Sequence, residues 1–386
     1  MKKTLLATAI AGALGASAAA QAATVYNEDG TQFDIYGNIQ LAYADQETYG
    51  GGDVDSEDQL LDNGSTIGFK GQHIINPGLI GYFKAEFEHD ADEEKVNGGI
   101  NDGDQAYLGL TGNFGDLRVG SWDPIIDDWV QDPVSNVEYA DVTDSTSDLG
   151  RLYGDDFGVG ADTDREGDKV QYMSPSLGGL QVVVGTQYKG DAEGEYEATG
   201  YKNQGSNASL FGGLKYAVGA FSVAAIYDDL NNYELDSTTG GDDIKADAYG
   251  LGAQYVIGTL RVAAKAERTK LDYLGEDGNI DRYALGARYG YALSDNFAGD
   301  VYGAYQYVDA DKEVAAVTNP MAYTNADGGH NVTQSGDYNG DDSFNEFMVG
   351  ATYNISPAMY TFVEYVSYDR EDDLGDAVSF GALYSF

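Results

Sequence analysis

Apolar and polar side chains alternate along the last ten residues of the chain. Val378, Phe380, Ala382, Tyr384 and Phe386 fall on one face of an extended strand, and the small or polar residues between them fall on the other. A strand with lipid on one side and water on the other has this composition. The alternation therefore predicts a strand of a membrane-spanning wall, although a half-buried strand of a soluble β-sandwich alternates in the same way.

Alternating segments of about ten residues recur along the chain, separated by short and long polar connections in turn. Seven short connections have the Gly or Pro content of turns: 76–78, 113–115, 176–178, 218–219, 257–258, 294–296 and 355–357. Eight longer connections lie near 46–63, 91–103, 122–166, 190–206, 229–244, 273–280, 310–342 and 370–376. Together they predict an all-β fold, a transmembrane antiparallel β-barrel of sixteen strands with both termini on the short-turn side.

Charged residues on the less apolar face of the predicted strands distinguish a barrel from a sandwich. In the segment 282–291, Tyr283 and Leu285 share one face, whereas Arg282 and Arg288 share the other. The core of a sandwich would not accept these charges, because burial of an unpaired charge is costly. A water-filled lumen would accept them.

Residues 1–22 have the pattern of a cleaved export signal, with 23–386 as the mature barrel domain. Lys2 and Lys3 precede a run of small and apolar residues, and the small-x-small motif AQA occupies 20–22. No later apolar run approaches the roughly 18 residues that a membrane helix requires. We therefore expect a secreted protein, a periplasmic protein or an outer-membrane barrel.

Acidic residues dominate the composition, with 65 Asp and Glu against 21 Lys and Arg. Loss of the two lysines of the signal leaves 19 basic residues and a mature charge of −46. This balance excludes nucleic acid as a partner, because too few cations are present to neutralise phosphates. It favours a cation-rich setting, either a saline habitat or an outer-membrane surface where divalent cations bridge the protein to lipopolysaccharide.

No constellation of residues predicts an enzyme or a metal centre. The chain has no cysteine, and its three histidines, His73, His89 and His330, are far apart and lack the spacing of metal ligands. The GxSxG, HExxH and P-loop motifs are also missing from the sequence. We expect neither catalysis nor a cofactor.

Several segments resemble motifs of the general diffusion porins of Gram-negative outer membranes. They are STIGFKG at 65–71, DQAYLGLTGNFGDLRVG at 104–120, REGDKVQYMSP at 165–175 and the terminal SFGALYSF. The resemblance implies an outer-membrane homotrimer of sixteen-stranded barrels, each with a long third loop folded into the lumen. The terminal Phe386 is similar to the signal by which the barrel-assembly machinery recognises such chains.

The resemblance also implies a ladder of basic residues on one wall of the pore, facing acidic groups on the third loop. Three of the usual basic positions are uncharged or acidic here, and only the sixth-strand arginine is retained, with a lysine four residues later. Two further lysines face inward by alternation. The predicted wall set is Asn38, Thr66, Lys70, Lys84, Asp104, Arg165 and Lys169.

The third loop, 122–166, contains both tryptophans of the chain and many carboxylates. We expect Trp122 and Trp129 to hold the loop against the inner wall, because their burial offsets the entropy of ordering the loop. The carboxylates predicted to line the constriction are Asp123, Asp127, Asp128, Asp132 and Glu138. The alternative is a solvated acidic loop that stands outside the barrel.

The leading functional hypothesis is a water-filled channel for passive diffusion of ions and small hydrophilic solutes, with a preference for cations. One alternative is an outer-membrane barrel for a specific solute, such as an oligosaccharide or an anion. Another is a barrel enzyme with a Ser/His or Asp/His constellation at its rim, which the histidine positions do not support. A third is a secreted or periplasmic acidic β-sandwich that binds glycans.

Overall fold

A computed structural model describes residues 22–50, 53–92, 100–130, 139, 167–188, 197–198, 201–203, 208–229, 235–237, 245–273, 276–294, 297–311, 343–369 and 375–386. Within these ranges, none of the helical segments has the length and apolar character needed to cross a membrane. The predicted signal segment lies outside the described residues, apart from Ala22.

Strands make up most of the described chain. They are β1 Ala23–Glu28, β2 Thr31–Gly50, β3 Asp53–Asp62, β4 Thr66–Asn76, β5 Leu79–His89, β6 Ile100–Gly112, β7 Gly115–Ser121, β8 Lys169–Met173, β9 Leu180–Tyr188, β10 Glu197–Ala198, β11 Tyr201–Asn203, β12 Ala208–Val218, β13 Phe221–Asp229, β14 Leu235–Ser237, β15 Lys245–Ile257, β16 Leu260–Tyr273, β17 Glu276–Ser294, β18 Phe297–Ala310, β19 Ser343–Ser356, β20 Met359–Tyr368 and β21 Ala377–Ser385. One short helix, α1, spans Ile125–Trp129.

The main sheet closes into a barrel because β2 pairs with β4 on one side and with β21 on the other. Its 18 strands fill sixteen positions of the wall. Two pairs of strands each share one position. Strands β3 and β4 lie end to end along one edge of β2, and β1 and β21 lie end to end along its other edge. All pairings are antiparallel, so the predicted sixteen-stranded antiparallel barrel is confirmed. Strands β10, β11 and β14 form a separate small sheet.

The short predicted turns coincide with the connections between consecutive strands. Gly219 and Gly258, both with φ of 61°, occupy two of them, in the left-handed region that glycine enters without strain. The predicted loop at 46–63 is wrong, because β2 continues to Gly50 and pairs with β3 from Leu41 to Gly50. The segment is rich in acidic residues and lacks an alternation of apolar side chains, so its sequence does not show the period of a strand.

Other strands also differ from the predicted boundaries. Strands β6 and β17 begin inside the predicted loops 91–103 and 273–280, and β10, β11 and β14 lie within 190–206 and 229–244. Strand β1 was not predicted. Segments rich in Gly, Asp and Asn resemble turns in sequence, yet backbone pairing to an existing edge extends the strands through them.

The two faces of the wall differ as the alternation predicts. On β21, Ser379 and Ser385 are buried at 1% and 2% exposure, whereas Phe380 and Tyr384 are 53% and 50% exposed. Large apolar side chains such as Leu285, at 58%, cover the outward face of the other strands in the same way. A continuous apolar exterior of this extent fits contact with lipid and not with water.

The C-terminal residue completes the closure of the barrel. The Phe386 amide donates to the Gly37 carbonyl at 3.0 Å, and the Gly37 amide donates to the Phe386 carbonyl at 3.1 Å. A Cβ at Gly37 would lie 2.5 Å from the Thr66 carbonyl oxygen and 2.8 Å from the Phe386 ring, so the close approach requires glycine.

Deletion of Phe386 should destabilise the barrel by about 1–3 kcal/mol, because two backbone hydrogen bonds at the seam are lost. Phe386→Ala keeps both bonds and should retain most of that stability. Urea titration of refolded protein in detergent micelles, followed by circular dichroism, measures the difference. Equal midpoints for the deletion and the alanine variant would show that these bonds do not contribute to closure.

Candidate functional site

Eight of the twelve predicted wall and loop residues have described side chains. Asp132, Glu138 and Arg165 lie outside the described residues, and only the backbone of Asp104, in β6, is described. The inner-face residues that can be placed are Asn38, Thr66, Lys70, Lys84 and Lys169 on the wall, and Asp123, Asp127 and Asp128 on the third loop.

Asn38 and Thr66 lie opposite each other in the register of β2 and β4. The Asn38 amide nitrogen donates to the Thr66 hydroxyl at 3.1 Å. This hydrogen bond joins two neutral side chains, so the wall carries no charge at either position.

Lys70 and Lys84 are directly opposite in the register of β4 and β5, and both ammonium groups lie over the ring of Tyr36. The distances from the ring centroid are 5.3 Å for Lys70 and 5.9 Å for Lys84. Lys84 also pairs with Glu86 at 2.9 Å. The ring and the carboxylate together offset the repulsion between two cations on adjacent strands.

A hydrogen-bonded chain connects this wall to the beginning of the third loop. Lys84 donates to the Gln105 side-chain oxygen at 3.1 Å, and the Gln105 amide donates to Asp123 at 2.9 Å. The sequence analysis missed Gln105. Leu108 and Leu110 of β6 face outward, and the period of two along the strand therefore places Gln105 on the inward face.

Two cations lie against the ring of Trp122 where the third loop begins. Trp122 is 2% exposed, and Lys169, also 2% exposed, donates to its carbonyl oxygen and lies 4.9 Å from its ring centroid. The guanidinium of Arg118 is 5.2 Å from the Trp122 ring and 4.5 Å from the Tyr107 ring. Sequence analysis missed Arg118, although the outward Leu117 and Val119 on either side predict its inward position.

Helix α1 packs against the inner face of the wall. Its Ile126 is fully buried. The ring of Trp129 packs against Gly213 of β12, 3.3 Å from the position that a Cβ would take there. Val130 likewise lies against Gly250 and Gly252 of β15. Glycines at these positions leave the space that the helix occupies.

Two carboxylates of α1, Asp127 and Asp128, follow its first residues. Part of the Asp128 side chain contacts lumen water, yet the barrel wall and loop that surround it raise its pKa, and the neighbouring Asp123 raises it further. Asp128 therefore accepts a proton more readily than an ordinary aspartate.

Tyr139 places a second part of the third loop against the other side of the barrel. Its amide donates to Glu364 of β20 at 3.2 Å, and its hydroxyl donates to Gln46 of β2 at 2.9 Å. It also packs on a buried cluster that includes Tyr302 and Met348. No feature of the sequence marked Tyr139, because it lies in a segment without periodicity.

The described residues bring together a cationic wall, a short acidic helix and a loop that contacts two opposing sides of the lumen. This arrangement can exclude solutes by size and act on charged solutes through fixed charges. Within the described ranges, no group of His, Asp or Glu side chains is arranged to hold a metal ion.

Comparison with known proteins identifies close relatives. A family model described as Gram-negative porin matches residues 7–373. The chain is 48% identical to a monosaccharide porin of Halomonas sp over 389 residues, which cover 100% of both chains.

Solved structures share the fold. An anion-selective porin from Comamonas acidovorans superimposes with a TM-score of 0.65 at 17% identity, over 92% of this chain and 100% of that one. The trimer form of the outer membrane protein OmpT of Vibrio cholerae gives a TM-score of 0.61 at 16% identity, over 93% and 100%.

Replacement of Trp122 by alanine should lower the free energy of unfolding by about 3–5 kcal/mol, because a buried ring and two cation–π contacts are lost. Trp122→Phe keeps a ring between the cations and should lose less. Urea titration in detergent micelles measures both, with Leu108→Ala on the lipid-facing surface as control. Equal losses for Trp122→Ala and Leu108→Ala would contradict an anchoring role.

Proposed function

Because the chain belongs to the Gram-negative porin family and is an outer-membrane porin, we propose a specific mode of action for its lumen. The barrel is a water-filled channel for passive diffusion of ions and small hydrophilic solutes, and it prefers cations. The observation that carries the proposal is the position of the third loop, whose described parts contact β12, β13 and β15 on one side and β2 and β20 on the other.

A loop in this position narrows the lumen and sets the size limit for solutes. The outward apolar face excludes lipid, and the inward polar face keeps the lumen wet. No tight binding and no chemical step are required, and we expect no catalytic activity. Monosaccharides fall within the proposed range, as the name of the Halomonas relative suggests for that protein.

The preference for cations follows from the balance of fixed charge. Three wall positions that are basic in the general diffusion porins are uncharged or acidic here, and of the lysines at 70 and 84, Lys84 pairs with Glu86. Asn38 and Thr66 are neutral and hydrogen-bonded to each other, and Lys169 is buried against Trp122. The third loop carries Asp123, Asp127 and Asp128 in the lumen, within a mature chain of charge −46. Fixed negative charge in a narrow pore raises the local concentration of cations and repels anions.

We extend the proposal to processing and assembly. Residues 1–22 act as a cleaved export signal, and the mature chain forms a homotrimer, a state described for the OmpT structure. Acidic surface loops contact lipopolysaccharide through divalent cations. Phe386 serves as the signal for the assembly machinery, so Phe386→Ala should refold in detergent yet reach the outer membrane of cells at a reduced level. Wild-type surface levels would contradict this role.

Reversal potentials in planar bilayers test the ion preference. At low salt we expect cation preference, which weakens in molar salt as the Debye length falls from about 8 Å at physiological ionic strength to about 3 Å. Arg165→Ala should strengthen the preference, because a cation is removed from the predicted wall set. Arg268→Ala is the matched control, since Arg268 lies on the outer face, paired with Asp281 at 2.6 Å. A reversal potential that indicates anion preference at low salt would refute the proposal.

The raised pKa of Asp128 predicts a pH dependence of the same quantity. As pH falls from neutral, Asp128 becomes protonated at a higher pH than an ordinary aspartate, and one negative charge leaves the lumen. As the pH is lowered, cation preference should therefore begin to decline at a higher pH in the wild type than in Asp128→Asn. Identical pH profiles of the reversal potential would show that Asp128 does not contribute.

A further inference from the structure

A trough of about 370 Å³ opens on the inner wall where β2, β4, β5 and β6 lie side by side. Its size falls within the roughly 300–1,000 Å³ of small-molecule sites. The side chains that matter for its chemistry are Gln32, Asp34, Gln72, Tyr82, Tyr107 and Thr111. Such a mixture of aromatic rings with a few polar groups is typical of a ligand site.

The aromatic part of the trough is rigid. The rings of Tyr82 and Tyr107 meet edge to face, with centroids 6.2 Å apart. Tyr82 lies across Gly109 of the neighbouring strand, where any Cβ would overlap its ring. Its hydroxyl donates to both oxygens of Asp116 at 2.7 and 2.8 Å. These contacts hold an apolar surface against which the C–H face of a sugar ring can pack.

The polar part of the trough is a linked set of donors and acceptors. The Gln32 amide donates to both oxygens of Asp34 at 3.0 and 2.9 Å, and the Gln72 amide donates to the Gln32 oxygen at 3.4 Å. A carboxylate oxygen can accept more than one hydrogen bond, and an amide both donates and accepts. Vicinal hydroxyls also donate and accept, so a polyol matches this set.

Two lysines, Lys70 and Lys84, also line the trough, and each lies near a carboxylate. Lys70 lies directly opposite Asp34 in the register of β2 and β4, and Lys84 pairs with Glu86 at 2.9 Å. Both ammonium groups also lie over the ring of Tyr36. Balanced charge favours a neutral solute, because an anion would have to compete with Asp34 and Glu86 for the two lysines.

The trough lies on the turn side of the proposed constriction. It extends from Lys84, which also begins the hydrogen-bonded chain through Gln105 to Asp123, along β4 and β5 toward the turn at Pro77 and Gly78. A solute that passes the third loop toward the turn side therefore meets the trough next.

We propose that this trough is a transient binding subsite for a neutral monosaccharide in transit. The inference rests on the proposed function, since it requires an open, water-filled channel. The ring packs on Tyr82 and Tyr107, and its hydroxyls bond to Gln32, Asp34 and Gln72. Weak binding at such a point raises the local sugar concentration without blocking flow.

The experiment is ion-current noise analysis of the reconstituted full-length porin during titration with D-glucose. A binding subsite produces current fluctuations that saturate with glucose concentration, whereas free diffusion does not. In the double variant Gln32→Ala/Gln72→Ala, the apparent dissociation constant should rise about tenfold, because two neutral hydrogen-bonding partners are lost. The matched control is Gln254→Ala on β15, which is eight wall positions from β4 and seven from β2 around the sixteen-stranded ring.

The outcomes separate the subsite from the channel itself. Normal ion conductance without saturable fluctuations would overturn the subsite and leave the channel standing, whereas no ion conductance would overturn both. Equal dissociation constants for the wild type and the Gln32/Gln72 variant would also overturn the assignment. Tighter binding of D-gluconate than of glucose at equal ionic strength would do the same, because it would make Lys70 and Lys84 the determinants of an anion site.

Discussion

The closure of the sheet between β2 and β21 is the constraint on which the rest of the structure depends. In lipid, an unpaired strand edge leaves each backbone N–H and C=O without a partner, at a cost of several kcal/mol for each group. Nine consecutive register pairs join Asn38–Gln46 to Ala377–Ser385 and remove that edge. Phe386 extends the pairing by two bonds to Gly37, and β1 continues it along the first part of β2. Because the ring is closed, every strand has an inside and an outside, and the positions of all lumen groups follow from that alternation.

Glycines on the inner face leave space in which larger groups pack closely against the backbone. Gly213, Gly250 and Gly252 receive Trp129 and Val130, so α1 lies directly against the backbone of β12 and β15. Tyr36 and Tyr82 lie across glycines of adjacent strands in the same way. Such flat packing leaves the lumen open while the rings still bury area, and it creates both the wall beneath Lys70 and Lys84 and the aromatic surface of the trough. The fold thus produces the pore and its lining from one pattern of large residues beside small ones.

Much of the fold could be predicted from the sequence because a period of two is a direct consequence of a wall with two different faces. The alternation predicted the inward positions of Lys70 and Lys84, and the inward positions of Gln105 and Arg118 follow from the same alternation. It failed at 46–63, where the many acidic residues of the β2–β3 hairpin give no apolar alternation. It also gave no sign that Lys169 is buried under Trp122, or that Tyr139 reaches Glu364, since both depend on where an aperiodic loop packs. The third loop is therefore the part of the chain that the sequence describes least.

Six cations of the described inner face lie against aromatic rings. Lys70 and Lys84 lie over Tyr36, Arg118 and Lys169 over Trp122, Lys215 over Trp129, and Arg288 over Tyr302. A cation on an aromatic face is held in one place and anchors that ring, which here secures the start of the third loop. Loop carboxylates such as Asp128 contact lumen water instead. In a chain with 65 acidic and 21 basic residues, these six cations thus have a structural task in addition to any effect on the solutes that pass.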